Sequence, residues 1–400
     1  MIKVEEALNI VLESVQRIEA EKAGIIDSFG RTLAEDIHSD CNIPAFDYSA
    51  MDGYAVKSAD TKGASTDKGA KLKVIGEFRA GGDTSAKVEK GEAVKIMTGA
   101  PIPQGADAVV MVEDTKMDGG NVEIFEEAEE GDNIRLAGED IKKGALVISK
   151  GTLLREGHIG MLASLGVPEV NVARRPRVAI LATGDEVISI DEDMKPGKVR
   201  NSNAYSLHAQ VLACGGIPFN KGVASDNKEG LKAKLRSCLD CDIIITSGGV
   251  SMGEYDYVKD VMIDMGMEFK FWKVAMRPGK PNLFGIIDGK PFFGLPGNPV
   301  STMIGFEVFV RPAILRMLGR ISDDRREVEA LLEEDIKKKR GLKFFIRAQT
   351  RWEDGGYITK TTGPQGSGIL SSMAKADSLI ILPEDKERVN KGEKVLARLL

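Results

Sequence analysis

The segment between residues 177 and 319 constrains the fold most, because uninterrupted apolar runs alternate there with helical patterns. RVAILAT (177–183) and CDIIIT (241–246) lack polar alternation, which is typical of strands covered on both faces. Further strands are predicted at 217–223, 269–275, 282–288 and 291–296, the last two as a hairpin, and helices at 203–216, 227–240, 256–266 and 298–319. Strands that alternate with helices predict a parallel, doubly wound α/β sheet.

The rest of the chain is predicted to be rich in strands. Apolar residues recur at helical spacing over 3–20 and 158–166. Between about 45 and 140, short alternating runs between glycine-rich turns predict strands at 71–78, 92–99, 106–114 and 121–127. A strand over 167–172 leads into the α/β segment. After about residue 325 no helix is predicted, and five runs indicate a small all-β domain: EVEALLEE, LKFFIRAQTRW, GGYITKTT, SLIILPED and EKVLARLL.

Composition and charge argue against several classes of protein. The net charge is −6, with acids and bases mixed along the chain, which argues against nucleic acid as a partner. The N-terminal stretch is amphipathic and acidic, unlike a signal peptide. The longest uncharged run, 291–306, is interrupted by Pro and Gly and is too short to span a bilayer. We therefore expect a cytoplasmic protein with no membrane or nucleic-acid partner.

Two of the four cysteines, Cys238 and Cys241, form a C-x-x-C pair. A zinc site would need a second pair or spaced histidines, and His38, His158 and His208 are far apart in sequence. The pair also sits where a predicted helix ends and a strand begins, whereas a thioredoxin-like pair precedes a helix. We expect buried or incidental thiols and not a metal or redox site.

Polar residues cluster in the loops that follow the predicted strands of the α/β segment. In an open parallel sheet, ligands bind beyond the carboxyl ends of the strands. Five loops should meet at that edge: TGDE (183–186), ASDN (224–227), SGGVSMGEYD (247–256), MRPGKP (276–281) and LPGNPVS (295–301). They bring together acids, cations and glycine N–H groups, namely Glu186, Asp226, Glu254, Asp256, Lys273, Arg277, Lys280, Gly248, Gly249 and Gly297.

This mixture of side chains suits a phosphate or another oxyanion together with a divalent cation. Glycine N–H groups, lysine and arginine bind oxyanions, and Mg²⁺ takes one or two carboxylates plus substrate phosphates. Asn298 and Pro299 are typical of a helix start, whose first turn would point N–H groups at the site. The alternative is that these loops are plain turns with solvated charges. That alternative stays open for each loop alone, but their convergence favours a site.

The β-rich half contains a second polar stretch, PAFDYSAMDGYAV (44–56), which includes Asp47, Ser49, Asp52 and Tyr54. KIMTGAPIP (95–103) adds the hydroxyl of Thr98, and AGEDI (137–141) adds two acids. Three scattered histidines allow no convincing Ser/His/Asp or Cys/His triad. The chemistry that the residues indicate is therefore metal- or oxyanion-assisted displacement at a phosphate.

Motifs along the whole chain closely resemble those of the molybdopterin molybdenumtransferase family (MoeA), to which the gephyrin E domain is related. In order they are FDYSAMDGYAV, KIMTGAPIP, AGEDI, LATGDEV, TSGGVSMGEYDYVK, FWKVAMRPGKP and GLPGNPVS. The resemblance implies a transferase of molybdenum cofactor biosynthesis. Its substrates would be molybdate and adenylylated molybdopterin, its products molybdenum cofactor and AMP, and its cofactor Mg²⁺.

The resemblance also implies a multi-domain chain that combines an α/β domain with β-rich parts. Residues 1–45 and 140–175 would form an elongated linking domain, and 46–139 an inserted β-rich domain. Residues 176–322 would form a doubly wound α/β domain similar to the enzyme that adenylylates molybdopterin (MogA), and 323–400 a C-terminal β-barrel. The family implies an L-shaped homodimer with an active site shared between chains. A transient contact with the adenylyltransferase is a further possibility.

The site residues carry over one position at a time. On the β-rich side they are Asp52, Thr98 and Asp140, which would face the α/β domain of the other chain. On the α/β side the catalytic positions are Glu186, Asp226, Asp256, Lys273 and Arg277, with Glu186 and Asp256 as metal ligands. The substrate-binding positions are Gly248, Gly249, Ser251, Lys280, Pro296, Gly297, Asn298 and Pro299. Arg277 stands where related sequences have lysine, so a planar fork replaces a point charge there.

Two other functions compete with molybdenum insertion. An adenylyltransferase would share the α/β domain but is usually one compact domain, whereas roughly 250 further residues here carry their own motifs. A non-catalytic scaffold, a role that gephyrin's related domain also has, would not need the acids of both MDGY and GEYDY. Within the enzyme interpretation, we assign the Gly248-Gly249 turn and the helix start at Asn298-Pro299 to the pterin phosphate. We assign Lys273 and Arg277 to molybdate.

Overall fold

The computed structural model describes residues 1–82, 85–250, 257–323 and 325–400. They form two compact units. The first comprises Met1–Glu35, Lys150–Ile159 and Pro168–Leu400, and the second comprises Asp36–Ser149 and Gly160–Val167. The finer division into four parts stays a prediction. Among the described helices, none is long and apolar enough to cross a membrane.

The N-terminal helix is shorter than the predicted span of 3–20. Helix α1 (Val4–Ser14) buries its apolar face, as the spacing predicts. Ser14 donates its hydroxyl to the carbonyl of Ile10, and Val15 is already extended. A serine hydroxyl that bonds back to the preceding turn competes with the helix. The chain then continues into strand β1 (Ala20–Gly24).

The second unit is built on a six-stranded sheet of order β7-β4-β6-β5-β9-β8. Strands β5 and β6 pair in parallel and the other neighbours are antiparallel. The four strands predicted in this region are confirmed as β5, β6, β7 and β9. The strands of the unit are β2 (Ile37–His38), β3 (Tyr48–Ser49), β4 (Gly53–Val56), β5 (Ala70–Phe78), β6 (Glu92–Ile96), β7 (Ala108–Met111), β8 (Thr115–Asp118), β9 (Asn121–Ile124), β10 (Ile134–Arg135) and β11 (Leu146–Ile148).

Helix α2 (Glu156–Ser164) and strand β12 (Glu169–Ala173) follow, close to the predicted positions. Strand β12 pairs antiparallel with β1, from Ala20 opposite Ala173 to Gly24 opposite Glu169. The N-terminal segment is therefore hydrogen-bonded to a strand that follows it by about 150 residues in sequence.

The α/β sheet has the order β16-β13-β17-β21-β20-β18. Strands β16, β13, β17 and β21 are parallel, and β20 is antiparallel to both of its neighbours because it forms the predicted hairpin with β21. The elements close to their predicted positions are β13 (Arg177–Thr183), α3 (Ser202–Ala213), β16 (Ile217–Ala224), α4 (Lys228–Arg236), β17 (Ile243–Ser247), α5 (Val258–Asp264), β18 (Glu268–Trp272), β20 (Leu283–Ile287) and β21 (Lys290–Leu295). Three two-residue strands were not predicted, namely β14 (Val187–Ile188), β15 (Val199–Arg200) and β19 (Met276–Arg277).

Both faces of this sheet are covered, as the unalternating runs predict. Along β13, Val178 and Ile180 belong to the core that contains α1 and α3, whereas Ala179 and Leu181 belong to the core that contains α4 and α5. The second core also contains Cys238 and Cys241, which are free and buried. Burial raises the pKa of both thiols to about 11, so they are protonated at neutral pH, as expected of packing residues.

The long helix predicted over 298–319 is divided into three parts. Helix α6 (Pro299–Gly305) leads into a π-helical turn, Phe306–Val310, and then into α7 (Arg311–Met317). The second residue of α7 is Pro312, which has no N–H for an ordinary helical bond. A π-turn is one way to continue a helix across such a position, and here the Arg311 N–H bonds to the carbonyl of Phe306.

The C-terminal strands close into the predicted barrel. The order β24-β25-β22-β28-β26 is closed because β26 also pairs with β24, and β19 adds alongside β24. One short helix, α8, was not predicted, because five residues are too few for a helical period. The elements are β22 (Glu327–Leu332), β23 (Ile336–Lys337), β24 (Lys343–Glu353), β25 (Gly356–Thr361), α8 (Leu370–Ala374), β26 (Ser378–Leu382), β27 (Arg388–Val389) and β28 (Lys394–Leu399).

Candidate active site

A cavity of about 670 Å³ lies at the carboxyl ends of the parallel strands, where the strand-end rule places it. Loops after β13, β16, β17 and β21 contribute to its wall. The cavity is lined by the predicted residues Glu186, Asp226, Gly248, Gly249, Pro296, Gly297, Asn298 and Pro299. Ser251, Glu254 and Asp256 lie outside the described residues.

The two glycines after β17 allow the loop to pass close to β13. Gly248 has φ +100° and Gly249 has φ +67°. A Cβ on Gly248 would lie 2.8 Å from both the carbonyl oxygen and the hydroxyl of Thr183. The N–H of Gly248 donates to Leu295 O over 3.0 Å. Of the two N–H groups assigned to the phosphate, that of Gly248 is therefore already used within the fold.

The helix start at Asn298-Pro299 also offers fewer donors than its sequence suggests. Asn298 is the N-cap residue of α6 but makes no capping hydrogen bond with its side chain. Pro299 has no N–H, and the N–H of Val300 donates to Ser367 O over 3.1 Å. The first turn of α6 therefore does not present a full set of N–H groups to the cavity.

Two reciprocal hydrogen bonds join the acidic loops after β13 and β16. Asp185 N–H donates to Asp226 Oδ2 and Asp226 N–H donates to Asp185 Oδ1, each over 3.1 Å. Lys198 donates to the Asp185 carbonyl over 2.7 Å. This reciprocal pair places the carboxylates of Glu186 and Asp226 on the wall of one cavity.

The acids of the cavity were predicted as a magnesium site. Within the described residues, no group of three or more His, Cys, Asp or Glu side chains is arranged to hold a metal ion. Glu186 and Asp226 nevertheless supply two carboxylates to one cavity, and Mg²⁺ bound with substrate phosphates needs only one or two. The donor set therefore fits Mg²⁺ bound together with a phosphate, and Asp256, the other predicted ligand, lies outside the described residues.

One residue that the sequence analysis missed joins two of the predicted loops. Asn203 donates its amide to Ser247 Oγ over 2.7 Å and to Gly297 O over 2.8 Å. It lies in the first turn of α3, where Asn201 caps the helix through its side chain. The Asn-Ser-Asn run before a helical pattern was the available signal.

The predicted cations Arg277 and Lys280 lie in a neighbouring cavity of about 310 Å³. Pro281, Pro296 and Asn298 line both this cavity and the larger one, so the two adjoin. Lys273 lines neither of them; its backbone has φ +70° and its Nζ lies 4.0 Å from the ring centroid of Trp272.

Arg277 also lines a further cavity of about 500 Å³, together with Lys337, Lys338, Lys339 and Arg347. Arg347 is only 1% exposed and donates to Ser372 Oγ and Gly366 O, each over 3.0 Å. Burial without a compensating carboxylate lowers its pKa to about 10, and burial also lowers the pKa of Lys338. A buried guanidinium of this kind suits an anionic ligand. The alternating pattern of β24 gave no sign of it.

In the second unit, Thr98 holds Asp52 with two hydrogen bonds. The backbone N–H of Thr98 donates to Asp52 Oδ1 over 2.7 Å and its hydroxyl donates to the same oxygen over 2.8 Å. These bonds, the backbone one first, lower the pKa of Asp52, so the exposed carboxylate is ionised at neutral pH. Asp140 is also exposed, and its N–H donates to Ile43 O over 3.1 Å.

The position of Asp52 depends on the glycine that follows it. A Cβ on Gly53 would lie 1.9 Å from Val110 O in the adjacent strand β7. Any side chain at position 53 would clash with this carbonyl, so the glycine of MDGY allows β4 to pack closely against β7 directly after Asp52.

Models of known protein families match almost the whole chain. Residues 2–166 match the model for the MoeA N-terminal region (domain I and II), 179–316 match a probable molybdopterin binding domain, and 329–400 match the MoeA C-terminal region (domain IV). A protein named molybdopterin molybdenumtransferase from Bacillus subtilis (strain 168) is 37% identical, over 100% of this chain and 94% of that protein.

The chain belongs to the molybdopterin molybdenumtransferase (MoeA) family.

Other relatives agree with this assignment. The protein of the same name from Staphylococcus epidermidis (strain ATCC 12228 / FDA PCI 1200) is 36% identical, over 96% of this chain and 91% of that protein. The crystal structure of the molybdopterin biosynthesis moeA protein from Pyrococcus horikoshii OT3 is 34% identical, covers 100% of both chains and has a TM-score of 0.87. A molybdenum cofactor biosynthesis protein from Pyrococcus furiosus, 23% identical over the full length of both chains with a TM-score of 0.64, has the same fold. The predicted fold class, an α/β sheet with β-rich parts and a C-terminal barrel, is thus confirmed for this MoeA-family chain.

Proposed function

We propose that the chain inserts molybdenum from molybdate into adenylylated molybdopterin and releases AMP, in a Mg²⁺-dependent reaction. The observation that carries the proposal is the pair of adjoining cavities that share Pro281, Pro296 and Asn298. One is lined by glycines and carboxylates and the other by cations, which suits two anionic substrates that must meet. The names of the relatives support the same reaction.

The cationic cavity is the proposed site for molybdate. Molybdate is a dianion, and the pterin substrate is also anionic, so their approach in water is opposed by repulsion. Arg277 and Lys280 line this cavity, and the buried Arg347 lines the next cavity, which Arg277 shares. These side chains supply positive charge beside the larger cavity, so they lower the electrostatic cost of bringing the substrates together. Lys273, the other cation assigned to molybdate, lines neither of the adjoining cavities and has no role in this proposal.

The larger cavity is the proposed site for adenylylated molybdopterin. Its glycine-bounded wall allows a phosphate to approach the backbone closely. Glu186 and Asp226 would hold Mg²⁺, which when bound supplies positive charge to the pyrophosphate whose P–O bond breaks as AMP leaves. The reciprocal bonds between Asp185 and Asp226 keep the Asp226 carboxylate in place without substrate.

Residues of the second unit are proposed to act on the cavity of another copy. Asp52 is an exposed carboxylate held in place by Thr98, but both residues belong to a different compact unit from the cavities. The family motifs are likewise divided between the two units. We propose a homodimer in which each active site combines the second unit of one chain with the α/β sheet of its partner. A transient contact with the adenylyltransferase would deliver the substrate.

The test mixes the purified chain with adenylylated molybdopterin, molybdate and Mg²⁺ and analyses the products by mass. Molybdenum cofactor and AMP should form together, and neither should form when molybdate is omitted. A second mixture with molybdopterin and ATP tests the competing adenylyltransferase function and should give no adenylylated pterin. Adenylylation in the second mixture, or no AMP in the first, would reject the proposed reaction.

A further inference from the structure

The charge of the larger cavity does not match the substrate proposed for it. Two carboxylates, Glu186 and Asp226, line the cavity, and the predicted cations Arg277 and Lys280 line the neighbouring one. Among the described residues, Arg200 is the sole cation that lines the larger cavity. The two carboxylates would offset the charge of one bound Mg²⁺, so a substrate whose two parts are joined by a pyrophosphate needs a further cation that the glycine loop does not supply.

The backbone donors expected to bind this pyrophosphate are largely engaged. The N–H of Gly248 bonds to Leu295 O and the N–H of Val300 bonds to Ser367 O. Pro299 has no N–H at all. The phosphate oxygens must therefore find other donors on the wall of the cavity.

Arg200 is placed to provide them. It ends strand β15 and directly precedes Asn201, the N-cap residue of α3. Its guanidinium makes one long bond, 3.4 Å from Nη2 to the carbonyl of Glu192, and forms no ion pair with a carboxylate of the described residues. Most of its five N–H donors are thus available, in a planar fork that matches two phosphate oxygens.

The same wall carries further polar groups without partners. Thr183 is only 6% exposed and lines the cavity, and its Oγ1 has no hydrogen-bond partner. An unpaired buried hydroxyl is unfavourable, so a ligand that satisfies it is favoured. At the start of α3, the N–H groups of Ser202 and Asn203 have no acceptor within the described chain. They would add to the attraction for an anion held by Arg200.

We propose that Arg200 is the phosphate-binding cation of the larger cavity and that it binds the pyrophosphate between the pterin and adenylyl parts of the substrate. This inference rests on the proposed function and adds a residue that the motifs did not include. It places the pyrophosphate near the start of α3, whereas the sequence predicted a phosphate site at the start of α6. Because Arg200 is exposed, its replacement should leave the fold intact.

The test measures binding of ADP, which carries the same nucleoside pyrophosphate, to the full chain by titration calorimetry. Arg200→Gln should raise the Kd for ADP by at least tenfold, and Arg200→Lys should recover part of the loss because it keeps the charge but not the fork. Lys195→Gln, on the same exposed segment but off the cavity wall, is the matched control and should change the Kd less than twofold. Adenosine, which has no phosphate, should bind the chain and the Arg200→Gln variant equally.

The outcomes separate this inference from the proposed function. If the unmodified chain forms AMP and molybdenum cofactor but Arg200→Gln binds ADP as well as the unmodified chain does, the assignment of Arg200 is wrong and the reaction stands. An unmodified chain that binds no ADP would also overturn the assignment. A chain that binds ADP through Arg200 but releases no AMP from the pterin substrate would keep the assignment and reject the reaction.

Discussion

Thr98 keeps Asp52 ionised through a backbone N–H and a hydroxyl, both bonded to the same carboxylate oxygen. The pKa of Asp52 is therefore lower in the folded chain than in the unfolded chain. A lowered carboxyl pKa contributes stability above the unfolded pKa, and that contribution is lost as pH falls through the folded value. Asp52 should accordingly stay charged at acidic pH values where ordinary aspartates are protonated.

Thr98→Val tests how much each of the two hydrogen bonds lowers the pKa of Asp52. The variant loses the hydroxyl but keeps the backbone N–H, which is the larger cause of the shift. We expect the pKa of Asp52 to rise and yet remain below its ordinary value, as measured from the carboxyl ¹³C signal in an NMR titration. Thr115→Val, which removes a hydroxyl bonded to Val112 O in the same unit, should leave that pKa unchanged. A full return to the ordinary value in Thr98→Val would show that the backbone bond contributes nothing.

Arg277→Ala tests the assignment of the cationic cavity to molybdate. The molybdate concentration for half-maximal activity should rise by about tenfold or more, because a charged hydrogen bond of roughly 1.5–3 kcal/mol is lost. Binding of ADP should change little, since Arg277 does not line the larger cavity. Arg340→Ala removes an exposed arginine that lines neither cationic cavity and serves as the control. Weakened ADP binding with unchanged molybdate dependence would mean that the two anion sites are assigned the wrong way round.

Single residues also mark the limit of what the sequence could show. The motifs identified Glu186 and Asp226, because acids after buried strands must lie at the same sheet edge. They did not identify Arg347 or Arg200. Arg347 is buried through the contacts of a barrel strand with α8, and Arg200 reaches the cavity through a short strand that carries no hydrophobic pattern. Both placements depend on tertiary packing, which local spacing does not encode.

The turn after β17 depends on the absence of a side chain at Gly248. Gly248→Ala would place a Cβ 2.8 Å from Thr183 in addition to a left-handed backbone. Gly289→Ala, in the β20–β21 hairpin, has a similar φ of +73° but no neighbour within 4 Å, so it isolates the backbone cost of about 1–2 kcal/mol.

We expect Gly289→Ala to lower the thermal midpoint slightly and to bind ADP normally. Gly248→Ala should lower the midpoint further and weaken ADP binding by tenfold or more, because β13 and the loop after β17 must separate. Calorimetric unfolding and ADP titration measure the two effects. Equal ADP affinity in both variants would show that the close approach to Thr183 does not shape the cavity.

Helix prediction was accurate in position but not in detail. The sequence placed α3, α4 and α5 well, because their apolar faces repeat at helical spacing. The same spacing overextended α1, since Val15 and Ile18 contribute to the same core from extended chain. Periodicity reports which side of a segment is buried, and it does not by itself show where the backbone hydrogen bonds stop.

Complementation between inactive chains tests whether the active site is shared between two chains. A heterodimer of Asp52→Ala and Asp226→Ala chains would contain one site with both defects and one site with none. We expect partial recovery of activity on mixing. Asp226→Ala mixed with Arg277→Ala is the control, because both changes lie in the same unit and every site would keep one defect. No recovery from a verified Asp52→Ala and Asp226→Ala heterodimer would count against a site shared between chains.

The parallel arrangement of the α/β sheet could be predicted from general rules, whereas the link between that sheet and the barrel could not. Unalternating apolar runs separated by helices lead to a parallel sheet, and the β20–β21 hairpin within it was visible in the sequence. The pairing of β19 with β24 was not, because Met276 and Arg277 form only a two-residue strand. Two residues carry no period, and their partners Lys343 and Phe344 are distant in sequence.

Because of that short pairing, the loop that carries Arg277 is bonded to both the barrel and the α/β sheet. Its first residues, Met276 and Arg277, pair with β24 of the barrel. Further along the loop, Lys280 accepts backbone hydrogen bonds from Val274 and Asn282, next to the strands of the α/β sheet. A chain cut between α7 and β22 would retain the strands that surround the larger cavity but would lose the strand that holds Arg277 in register. If the two cavities bind the proposed substrates, such a cut would disturb the molybdate site more than the nucleotide site, to which, among the described residues, Gly368 alone contributes from beyond the cut.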